Sequence, residues 1–70
     1  MTESLLINKL KLHRAMADLT QEELAIKAGV TRQTIFAIEK GNYTPSVLLA
    51  LRLARILNHS VEEIFHENPE

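Results

Sequence analysis

Within one short stretch, Arg32, Gln33, Thr34, Phe36, Ala37 and Lys40 gather side chains that suit the edges and backbone of a nucleic acid. A guanidinium such as that of Arg32 donates two parallel bonds to guanine, and a carboxamide such as that of Gln33 bonds adenine in the same two-point way. Thr34, Phe36 and Ala37 are suited to a thymine methyl group, and Lys40 to a phosphate. At about 100° per residue, Gln33, Phe36, Ala37 and Lys40 fall on one side of a helix with Arg32 and Thr34 at its edges, while Ile35, Ile38 and Glu39 fall on the other. One side is therefore an anchor and the other a reading face. A polar outward face is also what any solvated helix shows, so the surrounding elements must decide between the two.

Other chemistries find less support. His13, His59 and His66 lie in separate segments, with no short ligand spacing and no cysteine beside them, so neither a metal centre nor a cofactor is expected. Glu22–Glu23 and Glu62–Glu63 are adjacent pairs, whose side chains diverge on a helix. Both pairs sit in first turns, where capping and the helix dipole account for acids. With no phosphate-cradling glycine loop and no nucleophile beside a base, enzymatic activity is not expected.

The elements that must hold the reading face are well punctuated. A first helix runs from about Lys9 to Ala17, with Leu10, His13, Arg14 and Ala17 on one face, and Asp18 tolerates the left-handed stop that follows. Thr20-Gln-Glu-Glu23 is a capping box that starts a second helix ending at Ala28, with Leu24, Ala25 and Ala28 inward. Gly29 supplies the positive φ of the turn, Val30 plugs it, and Thr31 caps a third helix from Arg32 to Lys40, stopped by Gly41. After the Asn42–Pro45 loop, Ser46 opens a fourth helix to about Leu57, which Asn58 ends. Ser60-Val-Glu-Glu63 is a second capping box, for a short fifth helix near Val61–Phe65, and the tail at Pro69 is expected to fray. Leu5–Ile7 and Ile64–His66 either extend helices or pair as a two-stranded terminal ribbon; the residues leave both open.

Two helices joined by a tight glycine turn form a helix-turn-helix, whose second member enters the major groove. The amides at Gln21 and at the Thr31 cap of the third helix are free to hold phosphate oxygens. The chain's 70 residues make one domain with a small core. The absence of cysteine excludes disulfides and suits a reducing compartment, Met1–Leu6 has no character of a secretory signal, and no apolar run is long enough for a bilayer. A soluble, cytoplasmic protein without membrane contact is expected. The net charge of -1 neither excludes nor demands DNA. Through Pro45, six Lys and Arg face five acids, and the excess acid (Glu62, Glu63, Glu67, Glu70) lies at the C-terminal end.

Taken together, Thr20-Gln-Glu-Glu-Leu-Ala25, Gly29-Val-Thr-Arg-Gln-Thr-Ile35, Ala37-Ile-Glu-Lys-Gly41 and Pro45-Ser46 resemble the lambda/434-repressor-like (Cro/C1, or XRE) helix-turn-helix family. The likeness covers 9–65, with the motif itself at 20–39, leaving 1–8 and 66–70 as short terminal segments. It implies an all-α, compact five-helix domain that binds double-stranded operator DNA as a homodimer and regulates transcription, most simply by repression. It carries phosphate contact onto Gln21, Lys40, Asn42 and Tyr43, and base reading onto Arg32, Gln33 and Ala37, with Thr34 close by. It also implies an ion pair between Arg14 and Glu39 that ties the first helix to the third. Two residues depart from the family pattern: His13 replaces a branched aliphatic, and Phe36 a small polar residue. His13 is expected to loosen the core locally. Phe36 either touches a thymine methyl or leans on a neighbour.

The fourth helix is apolar around most of its circumference. Val47, Ala50, Leu51, Ala54 and Leu57 form one face, which Leu49, Leu53 and Ile56 extend sideways. Leu49, Leu53 and Ile56, with Val61, Ile64 and Phe65, are the candidate dimer surface; the alternative is that the whole stripe packs into the single core. The competing reading is an antitoxin-like or other interaction module with a regulatory protein partner. Such a module commonly carries an extension outside the domain, and almost no chain is left here to supply one.

Overall fold

The computed structural model describes residues 5–68. Residues 1–4 and 69–70, and with them the fraying expected at Pro69, lie outside the described residues. Seven elements follow in order: β1 (Leu5–Asn8), α1 (Leu10–Met16), α2 (Gln21–Ala28), α3 (Arg32–Glu39), α4 (Val47–Leu57), α5 (Val61–Ile64) and β2 (Phe65–Asn68). Five helices thus carry the domain, and the two ends of the described chain pair as a small antiparallel ribbon. Its register sets Leu6 opposite Glu67 and Asn8 opposite Phe65.

Local chemistry explains most of the boundaries. Asp18 and Asn58 take positive φ angles of 60° and 58°, and Gly29 and Gly41 of 76° and 81°, so each of the four sits where a helix has to end or the chain to reverse. Thr20 and Ser60 form reciprocal capping boxes. The Glu23 amide donates to the Thr20 hydroxyl at 3.0 Å while the Thr20 amide donates to the Glu23 carboxylate at 2.8 Å, and Ser60 and Glu63 repeat the pattern at 3.2 and 2.7 Å. These bonds hold the Glu23 and Glu63 carboxyls below their ordinary range, chiefly through the amides of Thr20 and Ser60. A carboxyl depressed by folding contributes stability that is present above its unfolded pKa and lost as pH falls through its folded value. Acidification below pH about 5 is therefore expected to lower the urea midpoint, and to do so less steeply in a Glu23→Gln/Glu63→Gln protein. Thr20→Ala is expected to cost about 1 kcal/mol at neutral pH, read in the same titration.

The core draws on every helix. Leu10, Leu24, Ile35, Ile38, Leu53 and Ile64 are fully buried, with Ala25, Ala28, Leu49, Ala50, Ala54, Leu57 and Phe65 closing around them. His13 joins them. Its Nε2 lies 3.2 Å from the Glu63 carbonyl oxygen, and its ring packs at 4.3 Å between centroids against His59. The imidazole therefore fills the aliphatic's place while bonding α1 to α5. Its buried Nδ1 has no partner among the described residues.

The buried stripe of α4 is Leu49, Ala50, Leu53, Ala54 and Leu57, whereas Val47, Leu48 and Leu51 are exposed. This corrects the sequence reading, which placed Val47 and Leu51 on the principal apolar face. Arg52 and Arg55 mark the true outer side, and the buried face is the one opposite them. The candidate dimer surface is corrected with it. Leu49, Leu53, Ile64 and Phe65 lie inside the chain's own core, and Ile56 and Val61 are half-buried against it. A side chain fully covered within its own chain has no area left to bury against a second copy.

Candidate nucleic-acid interface

α3 is positioned from three directions. Ile35 and Ile38, both fully buried, hold its inner side in the core. At its start the Thr31 hydroxyl accepts from the Thr34 amide at 3.3 Å and lies 3.1 Å from the Thr34 hydroxyl. At its end the Asn8 side-chain amide donates to the Ile38 carbonyl, while Asn8 Oδ1 accepts from the Leu10 amide at 2.9 Å. One asparagine thus bonds the first amide of α1 and clamps that helix to α3. Sequence reasoning missed this residue, which stands one position ahead of the N-cap, Lys9, where the usual capping preference does not point.

A polar network locks the same helix from beneath. Glu39, at the end of α3, accepts from Arg14 Nε at 2.6 Å and from Arg14 Nη2 at 3.2 Å. Arg14 Nη1 donates on to the Leu19 carbonyl at 2.8 Å. Gln21 Nε2 donates to Glu39 Oε1 at 3.1 Å, and Gln21 Oε1 accepts from Arg32 Nη1 at 3.4 Å. The side chains of Arg14 and Glu39 are 14% and 4% exposed, so the pair is largely desolvated. The bond to Glu39 holds the Arg14 guanidinium above its ordinary pKa, with the Coulomb attraction of the same carboxylate adding to it and burial working against it. Arg32 on the outer face is therefore connected, through Gln21 and Glu39, to the pair that joins α1 and α3.

The outer face itself is open. Arg32, Gln33, Phe36 and Lys40 are exposed, and Thr34 and Ala37 half-buried. The Lys40 ammonium lies 5.8 Å from the Phe36 ring centroid, a cation–π distance. Phe36 therefore carries a neighbouring side chain in this structure. Asn42 and Tyr43 are exposed just past the end of α3, where the Asn42 amide donates to the Ala37 carbonyl at 2.9 Å. Thr31, at the cap, is exposed as well. Gln21, half-buried, touches Arg32 across the helix-turn-helix, so the N-terminal ends of α2 and α3 meet on one side. Gln21, expected at a phosphate through its amide, also serves as a strut within the protein through its side chain, a role that needs the positions of α2 and α3 to be known. The caps take the amides of Glu23 and Thr34, which leaves those of Gln21, Glu22, Arg32 and Gln33 without an acceptor in their own helices and suited to an anion.

Two capped helices joined through a left-handed glycine, the second anchored by isoleucines and showing Arg, Gln and Lys outward, constitute a helix-turn-helix of the kind that reads DNA. Residues 10–64 match the helix-turn-helix family model, and the chain belongs to the Cro/C1-type (XRE) helix-turn-helix family. An uncharacterised HTH-type transcriptional regulator of Methanocaldococcus jannaschii is 57% identical over 58 residues, spanning 83% of this chain and 88% of that one. Among solved structures, the restriction-modification controller protein C.AhdI of Aeromonas hydrophila is similar, with a TM-score of 0.74 and 31% identity over 79% of this chain and 83% of that one. A chain of the SinR/SinI protein complex is also similar, with a TM-score of 0.72 and 29% identity over 77% of this chain and 53% of that one. The protein is a transcriptional regulator with a helix-turn-helix DNA-binding domain, and its family is one of DNA binders rather than enzymes. No helix among the described residues is long and apolar enough to cross a membrane.

Proposed function

We propose that the protein binds a pseudopalindromic operator as a homodimer and represses transcription by occupying a promoter. The observation that carries the reading is the outer face of α3, where Arg32, Gln33, Phe36 and Lys40 stand exposed on a helix whose other side is fully buried at Ile35 and Ile38. Arg32, Gln33, Thr34, Phe36 and Ala37 face base edges, and Lys40, Asn42, Tyr43, Thr31 and the amide of Gln21 face phosphates. Dimerisation is supported by Val47, Leu48 and Leu51, which stand exposed together at the start of α4 and take the place of the residues first expected there. Two recognition helices must sit about 34–36 Å apart to enter successive major grooves, which demands an inverted repeat of that spacing.

The test is selection of bound duplexes from a random DNA library, with the winner titrated at two salt concentrations. An inverted repeat with half-sites one turn apart, bound two chains per duplex, is the expected result. Enrichment of nothing, with weak and steeply salt-dependent binding to every duplex, would overturn operator recognition by this chain alone.

A further inference from the structure

Away from the recognition face, the C-terminal end of α2 and the outer side of α4 enclose an open groove of about 380 Å³, lined by Ile26, Lys27, Gly29, Arg52, Arg55 and Ile56. Its chemistry is two-fold. Ile26 is 69% exposed, the most exposed apolar side chain of α2, and Ile56, half-buried against the core, faces the same space. Around them stand three cations and no acid. Among the described residues, the acids within salt-bridge distance of a base pair with Arg14 and His59; Lys27 has the Glu23 carboxylate one turn back on α2 without a salt bridge, and Arg52 and Arg55 pair with none. Arg52 lies beside the turn that ends α2, where the helix dipole is negative: a Cβ on Gly29 would be 3.9 Å from its Nη1.

We propose that this groove docks an acidic segment of another protein, which seats one apolar side chain between Ile26 and Ile56 and pairs its carboxylates with Arg52, Arg55 and Lys27. Charge complementarity selects the occupant. An apolar floor ringed by cations repels a basic segment and leaves a purely apolar one facing unpaired charge. Phosphates of a nucleic acid would use the cations but leave Ile26 and Ile56 in water. A peptide with carboxylates around an apolar anchor satisfies both halves, in the helix-in-groove or extended modes that small domains use for peptide capture.

The experiment pans a random peptide library on phage against the whole protein, and then maps the enriched sequences by amide chemical shifts. The expected outcome is enrichment of acidic peptides sharing one aromatic or aliphatic position. They should shift amides at 26–29 and 52–56, and bind at least tenfold more weakly both to Ile26→Asp and to Arg52→Glu/Arg55→Glu. Ile26→Asp changes an exposed position and is expected to keep the thermal transition and the duplex affinity of the unaltered protein. Arg52→Glu/Arg55→Glu places acids at helix C-terminal ends and lowers the net charge by four, so it is expected to lose some of both and is compared well below its own thermal transition. Three results overturn the proposal: no acidic enrichment, shifts confined to other surfaces, or affinity unchanged in both variants. Shifts of the same amides by random duplex DNA would assign the groove to nucleic acid instead, and a concentration-dependent shift with no peptide, lost in Ile26→Asp, would assign it to a second copy of the chain. Operator selection is scored separately, so its failure leaves the peptide result readable.

Discussion

Glu39→Ala is expected to destabilise the protein by about 3–5 kcal/mol, because it strands the Arg14 guanidinium in a site from which water is largely excluded. The carboxylate accepts from three donors, two on Arg14 and one on Gln21, and its loss leaves Arg14 only the Leu19 carbonyl. A domain of this length has a total stability of about 4–10 kcal/mol, so the variant should sit at or near its unfolding midpoint at physiological temperature. The cost reports the orphaned charge, not the net worth of the pair. An Arg14→Met/Glu39→Leu protein, with both charges replaced by apolar groups, is accordingly expected within about 1 kcal/mol of the unaltered protein or above it. Urea titration of the two variants decides. A loss under about 1 kcal/mol in Glu39→Ala would mean that solvent already screens the pair, as at an exposed surface bridge.

The contrast between those two proteins also bears on what the pair is for. Leu and Met hold α1 against α3 but offer no bond to Gln21, and Gln21 is what meets Arg32. The apolar pair is thus expected to keep the fold while loosening the placement of one reading side chain. That separates packing from orientation, which a single substitution cannot do.

How much of this was legible beforehand depends on how far each interaction reaches along the chain. The capping boxes at Thr20 and Ser60, the left-handed stops at Asp18, Gly29 and Asn58, and the outward face of α3 involve residues within one turn of each other, and the pattern of residue types is enough to read them. The rotation of α4 was not readable from apolar periodicity, since apolar residues occupy most of its circumference. The two arginines were the sharper signal, because a guanidinium without a partner has to stay in water. The ribbon joins residues some sixty positions apart. Four-residue strands are too short to show an alternation that excludes helix, so neither end announces the other. The bonds of Asn8 to Ile38, and of Gln21 to both Glu39 and Arg32, were hidden for a further reason: each runs between elements, and only their juxtaposition shows it. The family resemblance supplied the Arg14–Glu39 pair that spacing alone could not.

The recognition face leads to the second large effect, which is a difference between two variants. On the proposed reading Gln33 bonds a base and Lys40 a phosphate, so the two should fail differently. Gln33→Ala is expected to lose about 1–3 kcal/mol at a single base pair of the selected operator, and to bind operators altered at that pair almost as well as the original. Lys40→Ala should weaken every duplex alike and lower the slope of log affinity against log salt by about 0.9 for each lost contact. Competition titrations against single-base-pair variants of the operator, at two salt concentrations, separate the roles. Uniform weakening by Gln33→Ala would place that side chain on the backbone, and a salt slope unchanged in Lys40→Ala would remove Lys40 from the phosphates.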